Sequence, residues 1–504
     1  MVTNKKDSFV IEWLSEFPPF HDLISSLYSG QKIGSLGIMR PARLALEAAL
    51  HANLREPILI LTDRADHALT IHDELRFWAG DVPRLLFPEP NPLFYEQAAW
   101  GNHTRRERLQ TLSSLIRYHL PGAEKPDQPP IIIAPIRAVM ARTMPRRDFL
   151  KSCKIYKTGQ LLKLDALVQN WVEIGYNPAD TVLESGQFAR RGGILDIWPP
   201  GEAFPVRLEF FGDEVDTLRS FDPASQRTLS NLKQVFISPA REMLPFKALE
   251  QGMEMKDINE FHLPLLHPAV ASLMDYLPKN SLVVVDDFGL VRVVANEIEE
   301  QAVKLRGESI REKTLPADFP IPYLTFSEIT DSLSGQRWLD FGRSEDVEEI
   351  SELSGSFEPG PRFGGRLKPL MEEIVRMIEG GDRVTVISRQ SARLRELWDE
   401  LPSDITGVLA SRPQFIEGTL SGGFIFHLDD HKRLVFLTDN EIFGWERPRP
   451  RQPHRRVVET PEANYADLRL GDWVVHIDYG VGRFAGLVHR KLDGLEREFL
   501  CVEY

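Results

Sequence analysis

Cysteine is nearly absent from this chain of 504 residues, which has only Cys153 and Cys501. No CxxC pair and no cysteine–histidine cluster is present, so the pattern excludes the usual structural zinc sites and predicts no bound metal. Two isolated thiols are typical of a reducing compartment, where disulfides do not persist. The longest apolar runs, such as Ile58–Leu61, have the length of a strand and are too short to cross a membrane. Since no signal peptide follows Met1, we expect a cytoplasmic protein that makes no membrane contact.

Positively charged residues are fewer than negatively charged ones. The chain has 60 lysines and arginines against 74 aspartates and glutamates, which gives a formal net charge of −14. Because binding to a polyanion needs a basic field, this balance excludes a general nucleic-acid coat. Any contact with nucleic acid must therefore be local, or must be made through a partner.

A working phosphate loop is a third absence, since the dipeptide Gly-Lys occurs nowhere in the chain. The run Gly37–Leu44 has the length of the GxxxxGK[ST] motif, but Ala42, Arg43 and Leu44 replace its second glycine, its lysine and its hydroxyl residue. Leucine cannot bind Mg²⁺, and Pro41 removes a backbone N–H from the loop. We predict a degenerate, non-binding phosphate loop at Gly37, Ala42, Arg43 and Leu44.

Motifs of other enzyme classes are missing as well, because neither HExxH nor GxSxG is present. Asp286-Asp287, at the end of an apolar run, could imitate the acidic residue of a nucleotide site or could be a charged strand end. Without a phosphate loop, the second interpretation is favoured. The sequence therefore predicts no catalytic residues.

What is present is an alternation of strands and helices, over a length that corresponds to roughly three or four domains. Apolar strand-like runs at Ile58–Leu61, Ile131–Ile133 and Leu282–Val285 indicate a doubly wound α/β domain. A helix is predicted after the first run and another over Arg105–Leu115. The apolar face expected for the first of these helices, which ends at Gly80, consists of Ala65, Leu69, His72, Leu75 and Trp78.

The pattern changes in later parts of the chain. Residues 151–240 alternate apolar and polar between glycine-rich turns, which predicts an antiparallel α+β insert. Arg366–Leu401 is predicted to be a helix–strand–helix unit, preceded by a linker over Ser344–Pro361. The proline- and arginine-rich run Arg447–Arg456 is typical of an extended connector, and an all-β stretch begins at about Leu470.

The most informative stretch is Glu184–Asp222. Gly212-Asp213 lies between two alternating runs and predicts a tight hairpin. Alternation places Val206, Leu208 and Phe210 toward the core, and it places Arg207, Glu209 and Asp216 on the opposite face. From the residues alone, that face is either a solvated surface with paired charges or an arginine-rich docking surface.

The runs "RGGILDIWPPG" (191–201), "LEFFGDEVDTLRSFD" (208–222) and "SQRT" (225–228) resemble the module shared by the excinuclease component UvrB and the transcription-repair coupling factors. The resemblance implies that this insert, domain 2 of those families, docks the excinuclease component UvrA. The docking residues that it implies are Arg190, Arg191, Arg207, Arg219, Phe221 and Arg227.

Three features favour the coupling factors over UvrB. The phosphate loop is degenerate, and Phe94-Tyr95 runs almost directly into a helix, which leaves no room for a DNA-inserting hairpin. Leu420–Phe426 and Leu437–Gly444 resemble the segment that precedes the polymerase-interaction domain of the coupling factors. The alternatives are an ATP-dependent helicase similar to UvrB and a CarD-like transcription regulator.

The run Leu470–Gly486 resembles the small Tudor-like barrel, also found in CarD-type regulators, that binds the β subunit of RNA polymerase. It contains Gly480-x-Gly482-x-x-Ala485, a loose dinucleotide fingerprint, but Gly486 would interrupt the helix that such a site requires. Both glycines are therefore predicted in a tight turn between strands. A hairpin turn is predicted at Asp493-Gly494, between strands over Phe484–Lys491 and Arg497–Tyr504. The polymerase-binding residues that the resemblance implies are Arg483, Phe484, Leu487, Val488, His489 and Arg490.

The predicted fold class is therefore α/β and multidomain, with a degenerate P-loop-like doubly wound domain, an α+β insert, a second small α/β domain and an incomplete C-terminal Tudor-like barrel. The predicted domains are 1–150 (degenerate P-loop-like), 151–240 (UvrA-docking insert), 241–345 (remainder of the UvrB-like module), 346–460 (small α/β) and 461–504 (start of the polymerase-interaction domain).

The resemblance also implies a longer parent protein. Because the chain stops inside an expected strand, it is expected to be an N-terminal portion that lacks the translocase motor, with a last segment that is marginal in isolation. The parent would bind ATP, Mg²⁺ and double-stranded DNA through that motor. This chain itself is expected to be a monomeric adaptor with no enzyme activity and no cofactor, and with the excinuclease component UvrA and RNA polymerase as partners.

Overall fold

The computed structural model divides into two compact units, residues 1–450 and 451–504. It describes residues 9–31, 33–253, 258–343, 351–402, 411–429, 432–445, 473–476, 480–492 and 495–503. The predicted connector Arg447–Arg456 and the turn Asp493-Gly494 lie outside these residues. Among the described helices, none combines the length and the apolarity needed to span a bilayer.

The helices are numbered along the described chain. They are α1 Phe9–Glu16, α2 Pro18–Ser29, α3 Arg40–Leu54, α4 Ala65–Ala79, α5 Asn102–Ile116, α6 Ile136–Met140, α7 Arg146–Ser152, α8 Leu164–Glu173, α9 Pro245–Glu250, α10 Leu263–Leu266, α11 Phe288–Arg311, α12 Phe326–Ser334, α13 Glu352–Gly355, α14 Leu367–Glu379, α15 Ser391–Asp399 and α16 Asp439–Phe443.

The strands are numbered in the same way. They are β1 Ile58–Thr62, β2 Arg84–Leu86, β3 Ile131–Pro135, β4 Lys154–Lys157, β5 Asn177–Pro178, β6 Gln187–Arg191, β7 Ile194–Ile197, β8 Val206–Phe211, β9 Glu214–Phe221, β10 Thr228–Leu232, β11 Gln234–Ile237, β12 Leu282–Val285, β13 Arg337–Asp340, β14 Phe357–Glu358, β15 Arg383–Ile387, β16 Gln414–Ile416, β17 Phe424–Asp429, β18 Lys432–Thr438, β19 Trp473–His476, β20 Gly480–Leu492 and β21 Leu495–Glu503.

The first sheet is parallel, with strand order β13-β12-β1-β3-β2. Its three central strands are wholly buried because helices cover both faces, which explains their uninterrupted apolar sequences. The strands β12 and β13 join this sheet after the chain has left it for residues 136–281. Residues 282–340 therefore complete a sheet that residues 58–135 begin.

The second sheet has the order β10-β9-β8-β7-β6-β5 and is antiparallel except for the short pair β5–β6. Helix α8 lies against one of its faces, where Trp171 packs at 5.7 Å from the Phe188 ring. The other face has no such helix across its middle, among the described residues, and displays arginines. One face of the second sheet is therefore packed against a helix, and the other carries arginines that are partly exposed.

A third, mixed sheet has the order β14-β17-β18-β15-β16. It shares a hydrophobic core with α3 and α4, in which Trp78 contacts Phe424 and Phe436 at 5.9 and 5.3 Å between ring centroids. The second unit contains one three-stranded antiparallel sheet among its described residues, β19-β20-β21.

Two local predictions from the sequence are wrong. The buried face of α4 is formed by Ala68, Ile71, Leu75 and Trp78, because the sheet and the third-sheet phenylalanines lie on that side; Leu69 and His72 are only partly buried. Gly480 and Gly482 lie in strand β20, paired with His476 and Val474, and not in a turn. The predicted strands 484–491 and 497–504 are confirmed as parts of β20 and β21 over the described residues.

Candidate docking surfaces

The hairpin of β8 and β9 forms the centre of the second sheet. Gly212 closes the hairpin with φ of +64°, a left-handed conformation that glycine adopts without strain. Arg207 pairs with Arg219 across the two strands, and Leu208 pairs with Leu218. Asp216 has no cross-strand partner on β8, because the register shifts between Glu209 and Phe210. The predicted hairpin is confirmed, but Asp216 occupies a bulge.

The two faces of this sheet differ in burial. Val206 and Leu208 are buried, as predicted, and Phe210 is partly buried against the same core. The side chains of Arg207 and Arg219 are 21% and 35% exposed. We call the second surface the arginine face. It is defined by the residues that alternation and cross-strand pairing place on that side, namely Arg191, Asp196, Arg207, Glu209, Phe211, Arg219 and Phe221.

Arg207 is the best-anchored residue of the arginine face. Its Nε and Nη2 groups donate hydrogen bonds to both carboxylate oxygens of Asp196, at 2.7 and 2.9 Å, and Asp196 is buried. The guanidinium also lies 4.6 Å from the centre of the Phe221 ring. The hydrogen bonds to Asp196 raise the pKa of Arg207, so its charge is fixed. Phe221 is only 1% exposed, so it supports Arg207 from beneath, and its part in docking stays a prediction.

Arg219 lies next to Arg207 and is less constrained. Its Nη2 donates to Glu209 at 2.8 Å, and the same carboxylate oxygen accepts a hydrogen bond from Thr217. Both arginines therefore have acidic partners within the sheet, as the solvated-face interpretation requires. They nevertheless remain partly exposed, so their remaining N–H donors can reach another molecule.

The motif "FDPASQRT" (221–228) forms a tight loop that supports this face. Asp222 accepts hydrogen bonds from the backbone N–H and the hydroxyl of Ser225, at 2.6 and 2.8 Å, which lowers the pKa of its carboxyl. Gln226 adopts φ of +60°, and its side-chain oxygen accepts from Arg207 at 3.2 Å. Arg227 is exposed at the end of the loop.

The adjacent residues Arg190 and Arg191 lie on opposite faces. Arg190 pairs with Leu195 on the face covered by α8 and donates to Asp165 at 2.6 Å. Arg191 lies on the arginine face and donates to the Asp180 carbonyl and the Thr181 hydroxyl, both at 3.1 Å. The structure therefore separates two arginines that the sequence had grouped together.

Two exposed apolar residues at the hairpin tip were not predicted. Phe211 is 83% exposed and follows Arg207 and Glu209 along the same side of β8. Leu161 is 75% exposed and is bridged to Glu214, the partner of Phe211. The available signal was a second consecutive phenylalanine directly before a Gly-Asp turn, where alternation directs it away from the core.

The run Gly37–Leu44, predicted to be a degenerate phosphate loop, leads into α3, and its side chains make contacts inside the protein. Ala42 and Leu44 are buried. The Nη1 of Arg43 lies 2.9 Å from a carboxylate oxygen of Asp286 and donates to the Asp286 carbonyl at 2.6 Å, while its Nε donates to the Ile38 carbonyl. Both side chains of this ion pair are less than one-tenth exposed.

Further residues enclose the same loop. The hydroxyls of Ser351 and Ser354 donate to the carbonyl oxygens of Leu36 and Gly37, at 3.0 and 2.8 Å. A side-chain carbon added at Gly422 would lie 3.0 Å from Pro41. Residues from the segment 351–422 therefore lie directly on this loop.

All six predicted polymerase-binding residues lie on β20, which is the central strand of the three-stranded sheet in the second unit. β19 pairs with residues 480–483, and β21 pairs with residues 483–492. Arg483 lies 4.7 Å above the exposed Trp473 ring, and Phe484 is buried. The other four residues, Leu487, Val488, His489 and Arg490, pair with residues 497–500 of β21.

Comparison with known proteins finds a family match for the segment that carries the arginine face and another for the sheet of the second unit. Residues 155–243 match the UvrB interaction domain, and residues 468–504 match the CarD-like/TRCF RID domain. The transcription-repair-coupling factors of Bacillus subtilis and Myxococcus xanthus are 24% and 25% identical over 98% and 96% of this chain. That of Escherichia coli is 26% identical over 89% of it. The resemblance to transcription-repair-coupling factors is confirmed.

The matches also place the chain within these longer proteins. They cover 45% of the Bacillus and Myxococcus coupling factors and 41% of the Escherichia protein, so this chain spans a little under half the length of the relatives. The arginine face lies wholly inside the UvrB interaction domain, and β19, β20 and β21 lie inside the CarD-like domain.

Proposed function

We propose that this chain is the N-terminal adaptor portion of a transcription-repair-coupling factor, which recruits the excinuclease component UvrA to RNA polymerase stalled at damaged DNA. The observation that supports this best is the arginine face within the UvrB interaction domain. In the same proposal, contact with double-stranded DNA is made by a motor outside this chain, and the chain itself is monomeric.

The geometry of the arginine face supports docking of an acidic protein surface. Asp196 holds the Arg207 guanidinium in one orientation before a partner arrives, so less side-chain entropy is lost on binding. Phe211, exposed beside it, supplies an apolar anchor of the kind found at the centre of interfaces. Charged hydrogen bonds around an aromatic anchor are typical of specific contacts between proteins.

The test compares neighbouring residues on opposite faces. Arg191→Ala and Phe211→Ala remove groups from the arginine face, and each is expected to weaken binding of UvrA by about 5- to 30-fold, or about 1–2 kcal/mol. Arg190→Ala, on the face covered by α8, is the matched control and should leave the affinity unchanged. Isothermal titration calorimetry measures all three, and equal affinities for the three variants and wild type would remove the assignment.

Arg207 needs a different variant. Replacing it with alanine would leave the buried Asp196 carboxylate unpaired, at a cost of about 3–5 kcal/mol in folding, so a loss of binding could reflect unfolding. Arg219→Ala is the better probe of this pair, since Glu209 is partly exposed and can be solvated. Of the two cross-strand arginines, Arg219 is therefore the one to truncate first.

The second unit supports a contact with the β subunit of RNA polymerase. Beyond residue 483, β20 is paired with β21 but not with β19 among the described residues, so one edge is available for an added strand. We propose that the edge of β20 at Phe484–Arg490 makes this contact, with Arg483 at its border.

We further propose that this portion binds and hydrolyses no ATP, and that ATP and Mg²⁺ belong to the motor of the whole protein. The support is the buried ion pair between Arg43 and Asp286, because the cation that replaces the lysine of the motif is already paired inside the protein. The purified chain is expected to release no phosphate from ATP, with or without DNA. ATP-dependent phosphate release, absent from a mock purification, would favour the helicase alternative.

A further inference from the structure

The carboxyl edge of the third sheet combines exposed cations with an exposed aromatic ring. The chain runs from β15 through α15 to β16 on one side, whereas β18 lies on the other side of β15. Such a reversal of strand order opens a crevice at the carboxyl ends of the strands, where open α/β sheets bind ligands. Ser388 and Arg389 follow β15 at this point, and Asp439 follows β18.

Arg389 is held in place at this edge but keeps free donors. Its backbone N–H and its Nε donate to Asp439, whose other carboxylate oxygen accepts from Ser388. The guanidinium lies 5.4 Å from the centre of the Trp445 ring, and Trp445 stacks on Phe443 at 4.3 Å. The side chain of Arg389 is 45% exposed, and Trp445 is 41% exposed. Within the described residues, neither Nη group of Arg389 forms a hydrogen bond.

More positive charge lies along the same edge. The loop before α14 is bound to α16, because the N–H groups of Phe363 and Gly365 donate to the carbonyls of Glu441 and Ile442 at 2.8 and 2.7 Å. This attachment brings further exposed cations to the edge. They are Arg362, Arg366 and Lys368 from that loop and from α14, and Arg393 from α15.

The acidic residues that begin α16 offset only part of this charge, because Asp439 pairs with Arg389 alone among these cations. Asp439 is 6% exposed and accepts hydrogen bonds from Ser388 and Arg389. Glu441 is 5% exposed and accepts hydrogen bonds from Gly423 and Thr438. In a chain with a net charge of −14, this edge is a local concentration of cations.

We propose that this edge is a binding surface for a single strand of nucleic acid, with phosphates bound by Arg362, Arg366 and Arg389 and a base stacked on Trp445. Aromatic rings beside a basic groove are the usual means of holding single strands, because every base has a face that can stack. Arg389 and Trp445 stand at the surface, so a ligand is held from one side. That geometry suits an extended strand with repeated contacts better than an enclosed nucleotide.

The test uses the full 504-residue chain and a fluorescein-labelled single-stranded oligodeoxynucleotide, longer than the roughly 4–16 nucleotides that one small domain covers. Fluorescence anisotropy at low salt is expected to show binding that Trp445→Ala weakens roughly tenfold. Removing Arg362 and Arg366 together should reduce the slope of log affinity against log salt by about 1.4, or about 0.7 per phosphate contact on a single strand. Arg389→Lys, which keeps the charge, should retain more affinity than Arg389→Ala.

Two matched variants control for general loss of charge or aromatic area. Arg412 is 75% exposed and precedes β16 at the opposite edge of the same sheet, and Trp473 is 67% exposed in the second unit. Arg412→Ala and Trp473→Ala should bind the oligonucleotide as wild type does, and circular dichroism should be the same for all variants. Absence of binding, equal affinities of wild type and Trp445→Ala, or equal competition by inorganic polyphosphate would each overturn the proposal.

Discussion

Arg43 and Asp286 form an ion pair that is almost completely withdrawn from water. Removing two charges from water costs several kcal/mol per ion, and only close contact with further hydrogen bonds offsets that cost. Arg43 meets this condition through three acceptors: the Asp286 carboxylate, the Asp286 carbonyl and the Ile38 carbonyl. The charge of Arg43, at the position where the sequence pattern would have the lysine of a phosphate loop, is therefore used within the protein.

Glu47, one helical turn after Arg43, is fully buried, and neither of its carboxylate oxygens has a hydrogen-bond partner among the described residues. Burial, and then the nearby Asp286 carboxylate, raises the pKa of Glu47 well above its ordinary value. The folded protein therefore keeps this proton at pH values where the unfolded chain has lost it. The free energy of unfolding must fall as pH rises above the ordinary glutamate pKa.

Glu47→Gln removes this titration and keeps the shape of the side chain. As pH rises above about 5, wild type is expected to lose stability relative to Glu47→Gln, by up to ~1.4 kcal/mol per pH unit. Urea unfolding at a series of pH values measures the difference. Glu372→Gln, on the exposed side of α14, is the control and should follow wild type. Parallel curves for wild type and Glu47→Gln would show that Glu47 does not stay protonated in the folded state.

At the scale of elements, the run between β7 and β8 fixes how the second sheet meets α5. A side-chain carbon built on Gly201 would lie 2.9 Å from the Cβ of Ser113, closer than real contacts allow. Ser113 in turn donates to Ser238 at 2.7 Å, so it cannot move without losing a buried hydrogen bond. The final glycine of "WPPG" is therefore required by close packing between two elements.

Gly201→Ala is expected to destabilise the protein by roughly 1–3 kcal/mol, because overpacking forces α5 and the second sheet apart. Gly307→Ala in α11 is the matched control, since no atom lies within 4 Å of the added carbon. It should stabilise the protein by about 0.5–1 kcal/mol through helix propensity. Thermal unfolding distinguishes the two, and an unchanged or higher midpoint for Gly201→Ala would contradict the packing argument.

At the scale of the whole first unit, the first and third sheets are joined by one core. Trp78 of α4 lies between them and contacts Phe424 and Phe436 of the third sheet. The sequence predicted separate domains for these parts, and the boundaries at 150, 240, 345 and 460 stay predictions. The continuous apolar contact nevertheless implies that the two sheets stabilise each other.

Trp78→Ala is therefore expected to destabilise the protein by about 3–5 kcal/mol, through the cavity left between the two sheets. Hydrogen exchange should show faster exchange of amides in β17 and β18, far from residue 78 in sequence. Trp473→Ala, which replaces an exposed tryptophan, should leave that exchange unchanged. Faster exchange confined to α4 would mean that the sheets are independent.

Local patterns in the sequence were sufficient for the hairpin at Gly212 and for the buried strands of the first sheet. These features depend on neighbours in the chain: alternation, a turn dipeptide and short uninterrupted apolar runs. The degenerate phosphate loop stays a prediction. The family resemblance, which the comparisons confirm, also depended on continuous runs of residues.

The tertiary structure decided which residues can serve a partner. Arg190 and Arg191 are adjacent in sequence and both are exposed, but they lie on opposite faces of the sheet, and Arg190 lies beside α8, where it donates to Asp165. Phe211 and Phe221 are both aromatic residues of the same sheet, yet one is 83% and the other 1% exposed. Alternation along a strand defines two faces, but which face is covered depends on segments from elsewhere in the chain. That choice is made only when those segments pack.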